Sequence, residues 1–499
     1  MRERPNILLI TTDQQRYDSL GCYGLECVKT PNLDRLAEEG VLYTNCYVNN
    51  PVCTPSRASI MTGKHLNGHG VYRLHDILPE DEVMFPSRLR QKGYHTALFG
   101  KLHVSGRSFE REKRHRNDGF DIYRYAMVPH RTDGTFNSYG EWLRTNRRGF
   151  YDKLNALGRQ VGNIPVDSHF THWAAEMTID FLRARERDAP FFCMMSVIDP
   201  HDPYSDYPLE MRELVDEDRI PEPVVDEGES HRKPKDIIRA HEHSYLGSFH
   251  DFSLQQIREM RLGYYASIAL IDLEVGRVLD VLDREGLRDN TLVIFTSDHG
   301  DMLGDHELLA KGPFFYDACT KVPLIMRHPV QIEPGTRIEE LVQPHDLGAT
   351  VLGLAGFKAE EIKDFMPDSL DLVSLLNREG SANYRDHAVC LFRNTMIDDR
   401  KLYFDPPIYA TMYRSKRYKL NVYHEPDLGS HEYQGELFDM LEDPRELNNL
   451  WDHPDIARTK QELLGALTNW LVGSDMMYHA GRGGEVFPPK SQWSLNNPL

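Results

Sequence analysis

The sequence predicts an α/β protein with a doubly wound, mostly parallel central sheet and a smaller C-terminal antiparallel sheet. Three observations carry this. Short, continuously apolar runs alternate with segments of helical spacing, as when strands are buried on both faces between helical layers. Charged and polar residues cluster just past the ends of those runs, where ligands gather in open α/β sheets. After about Gly380 the runs become short and turn-separated, the pattern of an antiparallel sheet.

Taken in order, residues 6–12 form the first buried strand and end in Asp13-Gln14. Residues 30–37 read as a capped helix, with Thr30 or Asn32 as N-cap and Gly40 as terminator. Residues 41–48 form a strand that leads to Cys53, and 56–61 can start a helix. Residues 85–92 read as a helix and 94–99 as a strand closing on Gly100-Lys101-Leu102-His103. On an extended end, Lys101 and His103 project to the same side. Residues 107–165 are polar, rich in arginine and aromatics, and weakly periodic, an excursion from the sheet. A helix over 166–185 places Trp173, Met177 and Phe181 on one core face. The strand 190–197 ends in Asp199-Pro200-His201, and 205–251 form a second, charged excursion. A long helix over 254–285, broken near Gly263 and stopped at Gly286, precedes the strand 291–296. That strand ends in Ser297-Asp298-His299-Gly300-Asp301, with Lys311 beyond and a short strand at 323–326. Short strands at 388–395, 411–413, 418–423 and 436–439 and a helix at 456–471 complete the C-terminal part. The division is therefore a catalytic α/β domain over 1–380, an α+β subdomain over 381–473 and a tail over 474–499. The tail has no period and reads as disordered or as an arm docked on a neighbouring subunit.

Hydrophobic residues at 40% and charged residues at 27% are ordinary for a soluble globular chain of 499 residues. The net charge of -19 excludes a general nucleic-acid binder, which needs a basic face. It does not exclude small anionic ligands, because a local field can oppose the overall charge. Seven scattered cysteines form no disulfide framework and suit a reducing compartment. The apolar run at 7–10 is too short for a signal segment, and no run approaches the ~20 residues of a membrane span. The expected location is cytoplasmic, with no membrane partner.

The most specific stretch is Cys53-Thr54-Pro55-Ser56-Arg57, continuing through Ala58 and Ser59 to Met61-Thr62-Gly63. A lone cysteine is by default a buried, inert thiol. Here it lies at a helix start, where amides and the dipole favour anions. Asp13, Gln14, Asp298 and His299 offer oxygen ligands and one imidazole, a set for a hard or borderline divalent ion.

The Cys53–Arg57 motif resembles that of type I sulfatases of the alkaline phosphatase superfamily, in which the cysteine is oxidised after synthesis to formylglycine. The resemblance runs through most of the chain. The stretches around Leu437-Phe438-Asp439 and Asn448-Asn449-Leu450 are similar to the smaller C-terminal subdomain of that family. It implies hydrolysis of a small sulfate monoester by a hydrated aldehyde at Cys53, one hydroxyl attacking sulfur and the other later expelling sulfate. It also implies one divalent metal at Asp13, Gln14, Asp298 and His299. Arg57 would hold the formylglycine and the metal shell, and Lys101 would contact formylglycine and a sulfate oxygen. His103 would serve as base for the spare hydroxyl, with His201 and Lys311 near the leaving-group oxygen. Many members have a second aspartate at the Gln14 position and an asparagine at the His299 position. The loss of a carboxylate weakens the case for Ca2+ and opens Mn2+.

The Gln14 and His299 pattern resembles the phosphonate monoester hydrolase branch, which has uncharged hydroxyl residues at the Lys101 and His103 positions. Their presence here favours sulfate monoesters, arylsulfatase-like, with weaker side activity on phosphonate and phosphate esters. The resemblance further implies maturation by a formylglycine-generating enzyme and a homo-oligomer, dimer or tetramer. The alcohol part is open among aryl, alkyl, choline-like and sugar groups, with Tyr72, Arg73, His75 and Tyr204 as candidate contacts.

Overall fold

Continuous apolar runs become strands buried on both faces. In a computed structural model that describes residues 4–185, 188–376, 384–396, 403–425 and 433–481, eight strands form the main sheet. They are β1 (Asn6–Asp13), β2 (Val41–Tyr47), β3 (His95–Gly100), β4 (Ile122–Tyr125), β5 (Phe191–Pro200), β6 (Thr291–Ser297), β7 (Lys321–Arg327) and β8 (Thr336–Ile338). Their order is β4-β3-β5-β1-β6-β7-β2-β8. Only β7 runs antiparallel to its neighbours, β6 and β2. Alternation along β1 divides the core: Ile7 and Leu9 join one apolar cluster and Leu8 and Ile10 the other, one on each face.

Register positions the site. β1 and β6 pair from Asn6↔Thr291 to Thr12↔Ser297, so Asp13-Gln14 and Asp298-His299 leave the sheet side by side. Asp13 also pairs with Pro200 of β5, and Gly100 of β3 pairs with Ser196. Four adjacent strand ends therefore deliver Lys101, His201, Asp13 and Asp298 to one edge.

Several expectations are corrected. The helix Leu254–Arg284 is unbroken and begins at a capping box between Ser253 and Gln256. Gly263 serves close packing instead: a Cβ there would lie 1.8 Å from the Tyr204 carbonyl oxygen. Gly40 follows the C-cap Glu39 of the helix Pro31–Glu38, as expected of a terminator, and its N–H donates to Ala37 O at 3.2 Å. A Cβ at Gly40 would lie 2.2 Å from Met326 O. The 107–165 excursion supplies edge strand β4 and the helices Ser138–Asn146 and Arg148–Leu157. Its polar, aromatic composition suits a half-covered edge, which hid the strand.

The second sheet is antiparallel, with β9 (His387–Arg393), β10 (Tyr409–Ser415), β11 (Tyr418–His424) and β12 (Gln434–Asp439) in the order β12-β11-β10-β9. Leu391 N donates to Asn49 O at 2.9 Å, and Lys419 Nζ donates to Phe315 O at 3.0 Å, tying this sheet to the main one. The last helix, Ala457–Gly481, continues past the expected boundary at 473. Its Tyr478 hydroxyl accepts from His65 N at 2.8 Å and donates to Asp368 Oδ2 at 2.5 Å. The rest of the tail, 482–499, lies outside the described residues. All seven cysteines are free thiols. Among the described residues no helix is long and apolar enough to cross a membrane.

Candidate active site

Cys53 opens the helix Cys53–Thr62, a first-turn position just after the extended Val52. The pentapeptide puts Arg57 one turn further on, on the same helical face. Arg57 Nε donates to Asp298 Oδ2 at 2.6 Å and Nη2 to Asp13 Oδ2 at 3.1 Å. Nη1 reaches Ser196 Oγ at 3.0 Å and Lys101 O at 3.2 Å. One buried guanidinium thus joins the ends of β1, β3, β5 and β6. Burial opposes its charge, but Asp298 and Asp13 more than compensate and raise its pKa.

Asp13 and Asp298 are fully buried. Burial and Cys53 push Asp13 up, yet Lys101, Arg57 and His201 pull it below the usual carboxylate range. Lys101 Nζ donates to Asp13 Oδ2. Asp298 Oδ1 accepts from the backbone amides of Gln14 at 3.0 Å and His299 at 2.9 Å. The first bond requires left-handed backbone at Gln14, φ 68°, strain of the kind found at functional sites. Gln14 Nε2 donates to Asp301 Oδ2 at 2.6 Å, and its Oε1 accepts from Lys311 Nζ at 2.7 Å. Tyr204 OH donates to the same Asp301 oxygen at 2.6 Å, behind the site.

Around the Cys53 sulfur, Lys311 Nζ lies at 3.0 Å and His299 Nε2 at 3.2 Å. His299 Nδ1 is 2.9 Å from Gly300 O, so Nδ1 carries the proton and Nε2 presents its lone pair to the site. Burial opposes ionisation of the thiol, but Lys311, ahead of Lys101 and His299, holds its pKa well below the ordinary value. His201 Nε2 lies 2.9 Å from Lys311 Nζ and Nδ1 2.8 Å from Asp202 O; burial opposes the imidazole's charge, but Asp202 raises the His201 pKa to about 10.

Lys101 and His103 both reach the site, though not along an extended end. His103 has φ 56°. This turn is held by Glu110, whose Oε2 accepts from His103 N at 2.8 Å and whose Oε1 accepts from Val104 N at 2.7 Å and Ser105 N at 2.9 Å. Thr54 Oγ1 donates to Leu74 O, so His103 Nε2 donates to Thr54 Oγ1 at 2.9 Å. His103 Nδ1 is buried without a protein partner among the described residues. Burial, then Lys101, lowers the His103 pKa to about 3, which keeps the imidazole neutral.

Cys53, Lys101, His103, His201 and Lys311 line a cavity of about 370 Å³. All ten residues singled out for chemistry therefore meet in one constellation. Of the four candidate substrate contacts, His75 lines the cavity. Tyr204 serves Asp301, and Arg73 Nε pairs with Asp76 Oδ1 at 2.8 Å. Tyr72 packs in the C-terminal apolar cluster. Sequence reasoning missed Glu110, Asp202, Tyr245 and the wall Met127–His130; an acidic or aromatic residue in a polar loop gave no signal for them.

A divalent ion fits. Ligand atoms of Asp13, Cys53, Asp298 and His299 lie within 4.8 Å of one another, all buried. Two carboxylates, an imidazole lone pair and the adjacent Gln14 carbonyl make a mainly oxygen donor set.

A family model described as "Sulfatase" matches residues 5–357, and one described as "N-sulphoglucosamine sulphohydrolase, C-terminal" matches 304–471. An arylsulfatase of Clostridium perfringens is 29% identical, with 96% of each chain covered. Human iduronate 2-sulfatase is 30% identical over 71% of this chain and 69% of its own. The crystal structure of a phosphonate monoester hydrolase of Agrobacterium radiobacter has a TM-score of 0.78 and 27% identity, covering 94% of this chain and 96% of that one.

Proposed function

The chain belongs to the sulfatase family and is a sulfuric ester hydrolase, and we propose that it cleaves sulfate monoesters at Cys53 after oxidation of that residue to formylglycine. The observation that carries this reading is the ring of Arg57, Lys101, Lys311, His103 and His201 around the Cys53 position. Formylglycine supplies a hydrated aldehyde, with one hydroxyl as nucleophile and a second whose deprotonation releases sulfate. A divalent ion, Ca2+ or Mn2+, would be held by Asp13, Gln14, Asp298 and His299 and would supply Lewis-acid polarisation of the ester.

The chain's own residues do the rest. Arg57 fixes the two carboxylates and so sets the ligand geometry. Lys101 and Lys311 face the sulfate oxygens and stabilise charge that grows as the ester bond breaks. His201, coupled to Lys311 and Asp202, stands where the departing oxygen takes a proton. His103 accepts a proton at Nδ1, the nitrogen left unpaired by the Thr54 bond. Maturation by a formylglycine-generating enzyme, a cytoplasmic location and assembly as a dimer or tetramer belong to the same proposal. The seven free thiols support the location.

A second reading, phosphonate monoester hydrolase, is favoured by Gln14, His299 and the Agrobacterium likeness. The test compares kcat/KM for an aryl sulfate and an aryl phosphonate monoester, using enzyme coexpressed with a formylglycine-generating enzyme. We expect a sulfate preference with weaker phosphonate turnover, and loss of both in Cys53→Ala. A phosphonate preference promotes the second reading; undiminished turnover by Cys53→Ala removes formylglycine from the mechanism.

A further inference from the structure

We infer that Asp301, braced by Tyr204, is a positioning residue that fixes which end of the Gln14 amide faces the metal site, and so makes position 14 a neutral oxygen donor. This rests on the metal placement proposed above and concerns a buried carboxylate that the reaction does not use. Ligand atoms of Asp13, Cys53, Asp298 and His299 gather within 4.8 Å, and Asp301 is outside that group. It is nevertheless fully buried, as is Gln14. Three donors converge on its two oxygens: Gln14 Nε2 and Tyr204 OH reach Oδ2 at 2.6 Å each, and Leu303 N reaches Oδ1 at 2.9 Å. The backbone of Asp301 is tied down as well. Its N–H donates to Ala318 O at 2.9 Å, and its carbonyl oxygen accepts from Arg16 Nη1 at 3.1 Å.

The two ends of a primary amide are alike in shape but opposite in bonding. On one side of Gln14 stands a carboxylate that only accepts. On the other stands Lys311 Nζ, which only donates and lies 2.7 Å from Gln14 Oε1. One orientation satisfies both, with the nitrogen on Asp301 and the oxygen towards Lys311. A turned amide would set N–H groups against the ammonium and an oxygen against the carboxylate, both buried and uncompensated. Asparagine at position 301 loses this one-way character. With its oxygen on Gln14, its amino group meets the Leu303 N–H; with its oxygen on Leu303, its amino group meets Gln14 Nε2 and turns the amide. A carboxylate at position 14 reverses the requirement. Opposite Asp301 it meets like charge, and opposite an asparagine amino group it gains a donor.

The experiment titrates Mn2+ and, separately, Ca2+ into metal-free full-length protein by calorimetry. It compares the parent, Asp301→Asn, Gln14→Glu and the double variant. We expect Asp301→Asn to weaken binding by about 10–100-fold, the range for losing a partner that orients a ligand. In the Gln14→Glu background the same substitution should strengthen binding by about tenfold, the scale of one hydrogen bond to a charged group. A merely structural Asp301 would lower affinity alike in both backgrounds, so the reversal of sign is the signature. Urea midpoints of the metal-free proteins separate folding from binding. If Asp301→Asn does not fold with Gln14 in place, the Gln14→Glu pair decides alone, and no gain there overturns the inference. Losses of the same sign in both backgrounds also overturn it and leave the sulfatase reading standing. A parent protein that takes up neither ion overturns the metal placement and this inference together.

Discussion

Glu110 provides the sharpest test of how the site is held. Burial pushes its carboxyl from 4.5 up to about 7, although three backbone amides of the His103 turn bind it and pull the other way. A carboxyl with a raised folded pKa keeps its proton longer in the folded state than in the unfolded one. Its stability contribution is therefore complete below about pH 4.5 and is lost as pH rises towards 7. Between pH 5 and 8 the loss amounts to about 2.5 kcal/mol. Glu110→Gln cannot ionise, so it escapes this loss. It has one acceptor oxygen where three amides need two, which costs about 1–3 kcal/mol at every pH. The variant should thus be less stable than the parent at pH 5, with the gap closing by about 2.5 kcal/mol by pH 8. Urea midpoints of both proteins at the two pH values measure this. Ester turnover should fall at both, because the His103 turn loosens. A stability gap that is the same at pH 5 and pH 8 would refute the reasoning.

Two further substitutions probe the frame. Asp298→Asn keeps the shape but removes the charge opposite Arg57 Nε, 2.6 Å away, and a proposed metal ligand. Metal affinity should fall by more than about 100-fold, the upper end for losing a partner one shell out. Elemental analysis after dialysis reads it, and full metal content would remove Asp298 from the ligand set. Gly263→Ala forces a methyl to within 1.8 Å of Tyr204 O. It should cost about 1–3 kcal/mol by urea denaturation and also slow turnover, because Tyr204 anchors Asp301. An unchanged midpoint would mean that the Tyr204 segment moves aside at little cost.

The central strands and the polar residues at their ends were legible because parallel strands buried on both faces must be apolar throughout, and their ends must then be abruptly polar; Cys53, Arg57 and Lys311 were read from the resemblance instead. Asp13 after β1 and Asp298 after β6 are readable for that reason, and their register makes them neighbours. Edge strand β4 was not legible: Ile122–Tyr125 is only partly covered, so its sequence lacks the apolar continuity of the centre. Gly263 misled for a related reason. It looks like punctuation in one dimension, but the constraint is the Tyr204 carbonyl oxygen from a segment far away in sequence. Glu110 lies in a polar stretch whose meaning depends on three amides turning towards it, which no local pattern announces.

Charge within the site explains why sulfate and phosphonate readings stay so close. Asp13, Asp298 and Asp301 face Arg57, Lys101 and Lys311 through bonds that include Gln14 as intermediary. Three carboxylates against three cations leave these six residues nearly balanced. The excess positive charge that holds an anion then comes from the proposed divalent ion, whose attraction does not distinguish one monoanion from another. Sulfate monoesters and phosphonate monoesters are both singly charged, so net electrostatics favours neither. Discrimination must come from local direction: Lys101 fixed against Asp13, and the unpaired His103 nitrogen held by Glu110. Those two positions separate the readings.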